Sequence, residues 1–174
     1  MNNNTKELAL ASILTALSVL ITYSPLKLVL PFFTLTLGAH VPTMLAIFVG
    51  PWVTVMTVIG SCIGFFLTIP APNSIIVVTR AATHIIFALA GINMLKKNYN
   101  IVLIIIITAL LHALAEGIAV YILTPIILDS ATAALTAGGI AVLGTVLHHI
   151  IDAAITAPIL IALTKAKIIK RRCL

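Results

Sequence analysis

Apolar positions run almost without interruption along this chain, and the few polar ones divide it into segments of membrane-crossing length. From Lys27 to Arg80 there is no intervening Asp, Glu, Lys or Arg. That interval is long enough for two or more spans of about 20 residues. Breakers set the predicted boundaries. A first span over 6–23 stops before Pro25, because a residue preceding proline is disfavoured in helix. The following stretch to residue 36, with Pro25, Lys27 and Pro31, reads as an apolar loop lying against the protein. A short second span over 37–49 ends at Gly50-Pro51, and a third over 51–68 ends in the turn Pro70-Ala71-Pro72-Asn73. A fourth over 73–95, a fifth over 100–123 and a sixth over 133–164 complete the prediction. The sixth is longer than a straight crossing needs, so tilt or a lip beyond the bilayer is expected.

Composition turns these segments into a fold class. Of 174 residues, 61% are hydrophobic and only 8% charged, with mean hydropathy +1.25. A soluble domain carries roughly a quarter of its residues as charges. The prediction is one all-α integral membrane domain over 1–174, with six transmembrane helices and lipid as its main surrounding. The basic residues are not a nucleic-acid signal. They gather at Lys6, at Lys96-Lys97 and in the tail Lys165, Lys167, Lys170, Arg171, Arg172. Such clusters mark cytoplasmic loops, and six spans with both termini in the cytoplasm leave only Lys27 in an outer loop. Five or seven spans would put one cluster outside. The tail can also meet anionic headgroups. Lys6 before an apolar run resembles a signal peptide, but the spans that follow make it an uncleaved first helix. Cys62 and Cys173 give no disulfide framework.

Ionisable groups inside a bilayer are costly, so each is a functional hypothesis by default. One Arg, one Glu, one Asp and all five histidines fall in predicted spans. Three helices carry them at i, i+4 spacing, which puts both members on one face: Arg80 with His84, His112 with Glu116, His148 with Asp152. His40 adds a point near the outer end of the second span. With the fourth span entering from outside, Arg80 lies about 10 Å in. Arg80, His84, His40 and Glu116 then converge on a pocket open to the outside, with His112 and Tyr121 as further lining. Asp152 falls too deep for a lining residue, and the roles of His148 and His149 stay open. The bland alternatives are a structural Arg80–Glu116 ion pair and histidines that only join helices.

Two ligand chemistries fit this set. His112, Glu116, His148 and Asp152 are ligand types for a divalent transition metal, which makes a metal or cation transporter subunit the alternative reading. Against it, the fixed charge of Arg80 repels a cation in the same cavity, and no Cys- or His-rich outer segment exists for capture. No metal or other cofactor is therefore assigned. The planar fork of Arg suits a carboxylate, and an aromatic ring from Phe32, Phe33, Phe65, Phe66 or Tyr121 would stack on a flat ligand. A small flat carboxylate is the favoured cargo. There is no P-loop, no H-E-x-x-H and no G-x-S-x-G, so the chain reads as a binder rather than an enzyme and needs a partner for energy. The first span also has small residues at one-turn spacing, Ala11-xxx-Thr15 and Ser12-xxx-Ala16, with Ala9 above them. This is a packing face or a docking face for another membrane protein. Gly60-Ser61, Gly64 and the run Ala137 to Gly144 are similar faces, assigned to internal packing.

Several stretches together resemble the substrate-binding (S) components of energy-coupling factor transporters, most closely their niacin-specific group. They are Ala9-Leu-Ala-Ser-Ile-Leu-Thr-Ala16, Phe33-Thr-Leu-Thr-Leu-Gly-Ala-His-Val-Pro42, Gly64-Phe-Phe66, Arg80-Ala-Ala-Thr-His-Ile-Ile-Phe-Ala88 and Leu111-His-Ala-Leu-Ala-Glu116. The resemblance covers nearly the whole chain. It implies a six-helix bundle in the cell membrane, a vitamin pocket near the outer surface and a gating loop between the first two helices. It also implies a complex with a transmembrane coupling protein and two cytoplasmic ATPases, docked through Ala11, Ser12, Thr15 and Ala16. The paired alanines of the family's docking motif are replaced here by Ser12 and Thr15 as partners of Ala16 and Ala11. Nicotinate, a flat pyridine carboxylate, agrees with the pocket chemistry, with Arg80 on the carboxylate, His84 and His40 as polar contacts, and Glu116 on the ring nitrogen or orienting Arg80.

Overall fold

A computed structural model describes residues 3–30, 33–129 and 131–169. Its elements are α1 (Asn3–Ile21), β1 (Lys27–Leu30), β2 (Phe33–Thr36), α2 (Val41–Ile47), α3 (Pro51–Thr68), α4 (Asn73–Lys96), α5 (Ile101–Leu128) and α6 (Ala131–Lys165). Five of the six helices are long and apolar enough to cross a bilayer. The exception corrects the predicted second span. α2 has seven residues, all buried, and at about 1.5 Å per residue it covers roughly a third of a hydrocarbon core. The segment expected as a loop is an antiparallel hairpin, β1 with β2, pairing Lys27 with Thr36 and Leu30 with Phe33. Extended chain can lie at this depth only because protein encloses it and the hairpin satisfies much of its own backbone.

Chain direction nevertheless alternates as six passes require. His40 meets His84, and Ile47 lies beside Gly91, so α2 runs in the sense of α4. α5 opposes α4, with Arg80 against Glu116 and Gly91 beside Thr108. α1 and α3 run together, with Thr15 beside Gly60 and Thr22 beside Gly64. A Cβ on Gly64 would stand 2.7 Å from Thr22 Oγ1 and 3.0 Å from Val19 Cα, so the α1–α3 approach needs glycine there. Ala137 and Ala141 are fully buried, as expected of an internal face.

The Lys6 ammonium donates to the Lys167 carbonyl at 3.0 Å, so the first turn of α1 and the residues just after α6 meet at one end of the bundle. Leu95 shares a cavity there with Leu160 and Ile161, which brings Lys96 and Lys97 to the same end. Lys27, donating to the Thr22 carbonyl at 2.8 Å, follows the far end of α1. The outer surface is apolar, with Leu135, Leu143 and Ile126 among the most exposed side chains, while Arg80, Glu116, Asp152, the five histidines and many Thr side chains are buried. This inside-out distribution is what a protein solvated by lipid requires.

Candidate functional site

The polar interior is built where the turn after β2 dips into the bundle. Gly38 sits at φ +79°, a left-handed conformation that glycine adopts without cost. The turn aims two backbone amides at α6: Gly38 N–H donates to Asp152 Oδ1 at 2.9 Å and His40 N–H to Oδ2 at 3.0 Å. His40 Nδ1 is 2.9 Å from the same Oδ2, and His148 Nε2 is 3.1 Å from it and from the Thr36 carbonyl. Asp152 is thus the anchor of the hairpin–α2 junction. The sequence sets His40 close to the outer surface and Asp152 too deep to line the pocket, yet the two side chains meet, and His40 is 3% exposed. The turn carries His40 inward to the level of Asp152.

A second buried carboxylate sits one helix away. Glu116 Oε2 accepts from Arg80 Nε at 3.0 Å, from Arg80 Nη2 at 2.7 Å and from the Thr145 hydroxyl. Glu116 Oε1 faces His84 Nε2 at 3.1 Å and His112 Nε2 at 3.3 Å. Arg80 Nη1 donates to the Thr34 carbonyl and hydroxyl at 3.3 Å, so the hairpin covers the guanidinium. His40 Nε2 closes the cluster 3.2 Å from His84 Nε2. His112 and His149 stack against the fully buried Phe87, with ring centroids 4.5 and 5.1 Å from it. The cavity among Thr34, His40, Arg80, His84, Glu116 and His148 holds about 20 Å³, room for one water.

Arg80, His84, His40, Glu116 and His112 therefore come together, joined by His148 and Asp152. Tyr121 does not. Five residues beyond Glu116 is about 140° around the helix, and its side chain is half exposed in a groove with Gly117, Gly138 and Val142. Of the aromatic candidates, Phe65 lines the cavity and Phe66 points outward, 64% exposed; Phe32 and the Phe33 side chain lie outside what is described. Cys173 and residues 170–172 do so too. Thr34, Thr36, Thr145 and Phe87 were not anticipated. Thr145 shares the helix face of His148 and Asp152, a polar i, i+3, i+7 stripe that could have announced it.

The proposed docking residues also separate. Ala11 is buried and Thr15 packs on Gly60, whereas Ala9, Ser12 and Ala16 are exposed along one face of α1.

The niacin transporter NiaX of Lactococcus lactis subsp. cremoris (strain MG1363) is 34% identical to this chain over 124 residues, 67% of the chain. That likeness supports an energy-coupling factor S component of the niacin-like group. The chain spans about half the length of that relative, 54%. No protein-family model and no solved structure matches it.

Proposed function

We propose that this protein is the substrate-binding membrane subunit of an ATP-driven vitamin uptake transporter, that its cargo is nicotinate, and that Arg80 holds the cargo's carboxylate. One observation carries this reading: the buried Arg80 guanidinium grips the carboxylate of Glu116 through two donors. Its planar fork suits carboxylates in general. In the closed state Glu116 stands where a cargo carboxylate would be held. The 20 Å³ cavity is too small for a pyridine ring, so entry requires the hairpin to lift Thr34 off Arg80. His84 Nδ1, buried and with no hydrogen-bond partner among the described residues, then offers a polar contact to the ring, with His40 beside it and Phe65 as an apolar wall. The basic clusters at the end where α1 begins and α6 finishes support a cytoplasmic position for both termini.

The test is equilibrium binding of radiolabelled nicotinate to the purified full chain in detergent, with nicotinamide as competitor. The expected result is one saturable site that nicotinamide displaces weakly, because the amide lacks the charge Arg80 recognises. Folded protein that binds no nicotinate would remove this cargo.

The family resemblance supplies the partners for transport, a coupling protein and two ATPases, and the sequence has no phosphate-binding loop of its own. Ala9, Ser12 and Ala16 form the exposed small-residue face suited to close helix contact. Ala16→Trp should leave nicotinate binding intact while weakening the complex. Overpacking costs about 1–3 kcal/mol, about tenfold or more in affinity. Uptake by cells alongside binding by the isolated chain measures the two effects separately.

A further inference from the structure

Four ring or carboxylate atoms in the site converge in a way that hydrogen bonding alone does not satisfy. Each of His40, His84, His112 and Glu116 offers one ligand atom, and these lie within 4.8 Å of one another. The protons can be placed by following the bonds outward. The Thr108 hydroxyl has one proton and three acceptors in reach, and Ile104 O at 2.7 Å is nearer than Ile105 O or His149 Nε2 at 3.2 Å. With the proton directed at Ile104 O, the hydroxyl oxygen accepts from His149 Nε2. His149 carries its proton on Nε2, so its Nδ1 accepts from His112 Nδ1 at 3.0 Å. That leaves His112 Nε2 as a lone pair, 3.3 Å from the carboxylate oxygen Glu116 Oε1, fully buried and with no hydrogen-bond partner among the described residues. His40 gives its Nδ1 proton to Asp152, so its Nε2 is likewise a lone pair, aimed at His84 Nε2. His84 Nε2 also faces Glu116 Oε1. One proton on His84 Nε2 relieves either that contact or the one to His40, and it does nothing for His112.

We infer that His40 Nε2, His84 Nε2, His112 Nε2 and Glu116 Oε1 are the ligands of a divalent first-row transition-metal ion of the zinc, cobalt or nickel type. A single ion bonded to all four relieves every one of these contacts. Three of the six ligand–ligand separations, 3.2, 3.1 and 3.3 Å, match the edge of about 3.3 Å in a tetrahedron built on metal–ligand bonds of about 2.0–2.1 Å, and the other three lie within 4.8 Å. Asp152 behind His40 and His149 behind His112 are the outer partners that fix ring tautomer and orientation in such sites. His148 is not a ligand, because its Nε2 faces the Thr36 carbonyl and so carries the proton. Arg80 does not oppose the ion directly, since it binds the other oxygen of Glu116. Arg80, Glu116 and Asp152 sum to −1 with neutral histidines. A divalent ion makes the site +1, a sign that favours a monoanionic cargo; that last consequence alone rests on the proposed cargo.

The test is metal content of the full chain purified in detergent without added chelator, read by mass spectrometry, followed by replacement with Co²⁺. About one equivalent of metal per chain, and the intense visible bands of tetrahedral Co²⁺, are expected. His112→Gln should drop the content to a small fraction of one equivalent. His149→Ala, which touches no metal, should weaken affinity by about 10–100-fold. Wild-type protein that neither retains metal nor acquires Co²⁺ on titration overturns the site, as does the weak spectrum of an octahedral complex. These readouts use no nicotinate, so failure of the cargo assignment leaves them unaffected.

Discussion

Arg80→Ala abolishes saturable nicotinate binding. The guanidinium is the group aimed at the cargo carboxylate, and its loss also strands Glu116, whose Oε2 keeps only the Thr145 hydroxyl. Removing one partner of a buried ion pair costs about 3–5 kcal/mol, which is a loss of at least about 100-fold if it falls on binding. Arg80→Lys should fail nearly as badly. An ammonium keeps the charge, but it cannot bridge Glu116 and the hairpin at Thr34 from one planar fork. The measurement is nicotinate binding by both variants beside wild type, on protein that elutes as a single symmetric species. Wild-type affinity in the alanine variant would dismiss the carboxylate clamp. Near-wild-type affinity in the lysine variant would reduce Arg80 to a point charge.

Asp152→Ala is expected to destabilise the whole bundle, although the sequence sets Asp152 outside the pocket and leaves its role open. Its two oxygens take the amides of Gly38 and His40 and stand within 3.1 Å of the His40 and His148 rings. Truncation leaves two buried N–H groups unpaired, each costing about 1–3 kcal/mol, and frees the His40 ring. The expected total is several kcal/mol, seen as a large fall in the thermal unfolding midpoint in detergent. Asp152→Asn, which retains one acceptor oxygen, should recover part of the loss. A midpoint unchanged in both variants would show that the hairpin–α2 junction is held by something else.

How far the sequence alone reached can be seen in particular residues. Arg80/His84 and His112/Glu116 were paired by i, i+4 spacing, and both pairs do face the site, because a regular helix fixes which residues share a side whatever surrounds it. Five spanning helices were legible for a related reason. Their apolar content and their proline boundaries are local properties, and a lipid environment accepts few alternatives. The family likeness rested on stretches of α1, α3, α4 and α5 and on Phe33 to Pro42. Helical spacing was also enough to set Tyr121 apart from Glu116, had it been applied there.

What only the tertiary structure decided lies around the one segment that is not a spanning helix. The hairpin over 27–36, the left-handed turn at Gly38 and the seven-residue α2 follow from how the other helices leave room for them. No periodicity in the sequence encodes that room. Assuming a regular second span placed His40 near the surface and left Asp152, paired only with His148, outside the pocket. In the folded protein the turn lowers His40 onto Asp152 and aims its free nitrogen at His84, so that residues from α4, α5 and α6 meet a residue from the turn. Helical spacing determines which side chains share a face; the meeting of four separate segments, and with it the chemistry of this site, is decided by packing.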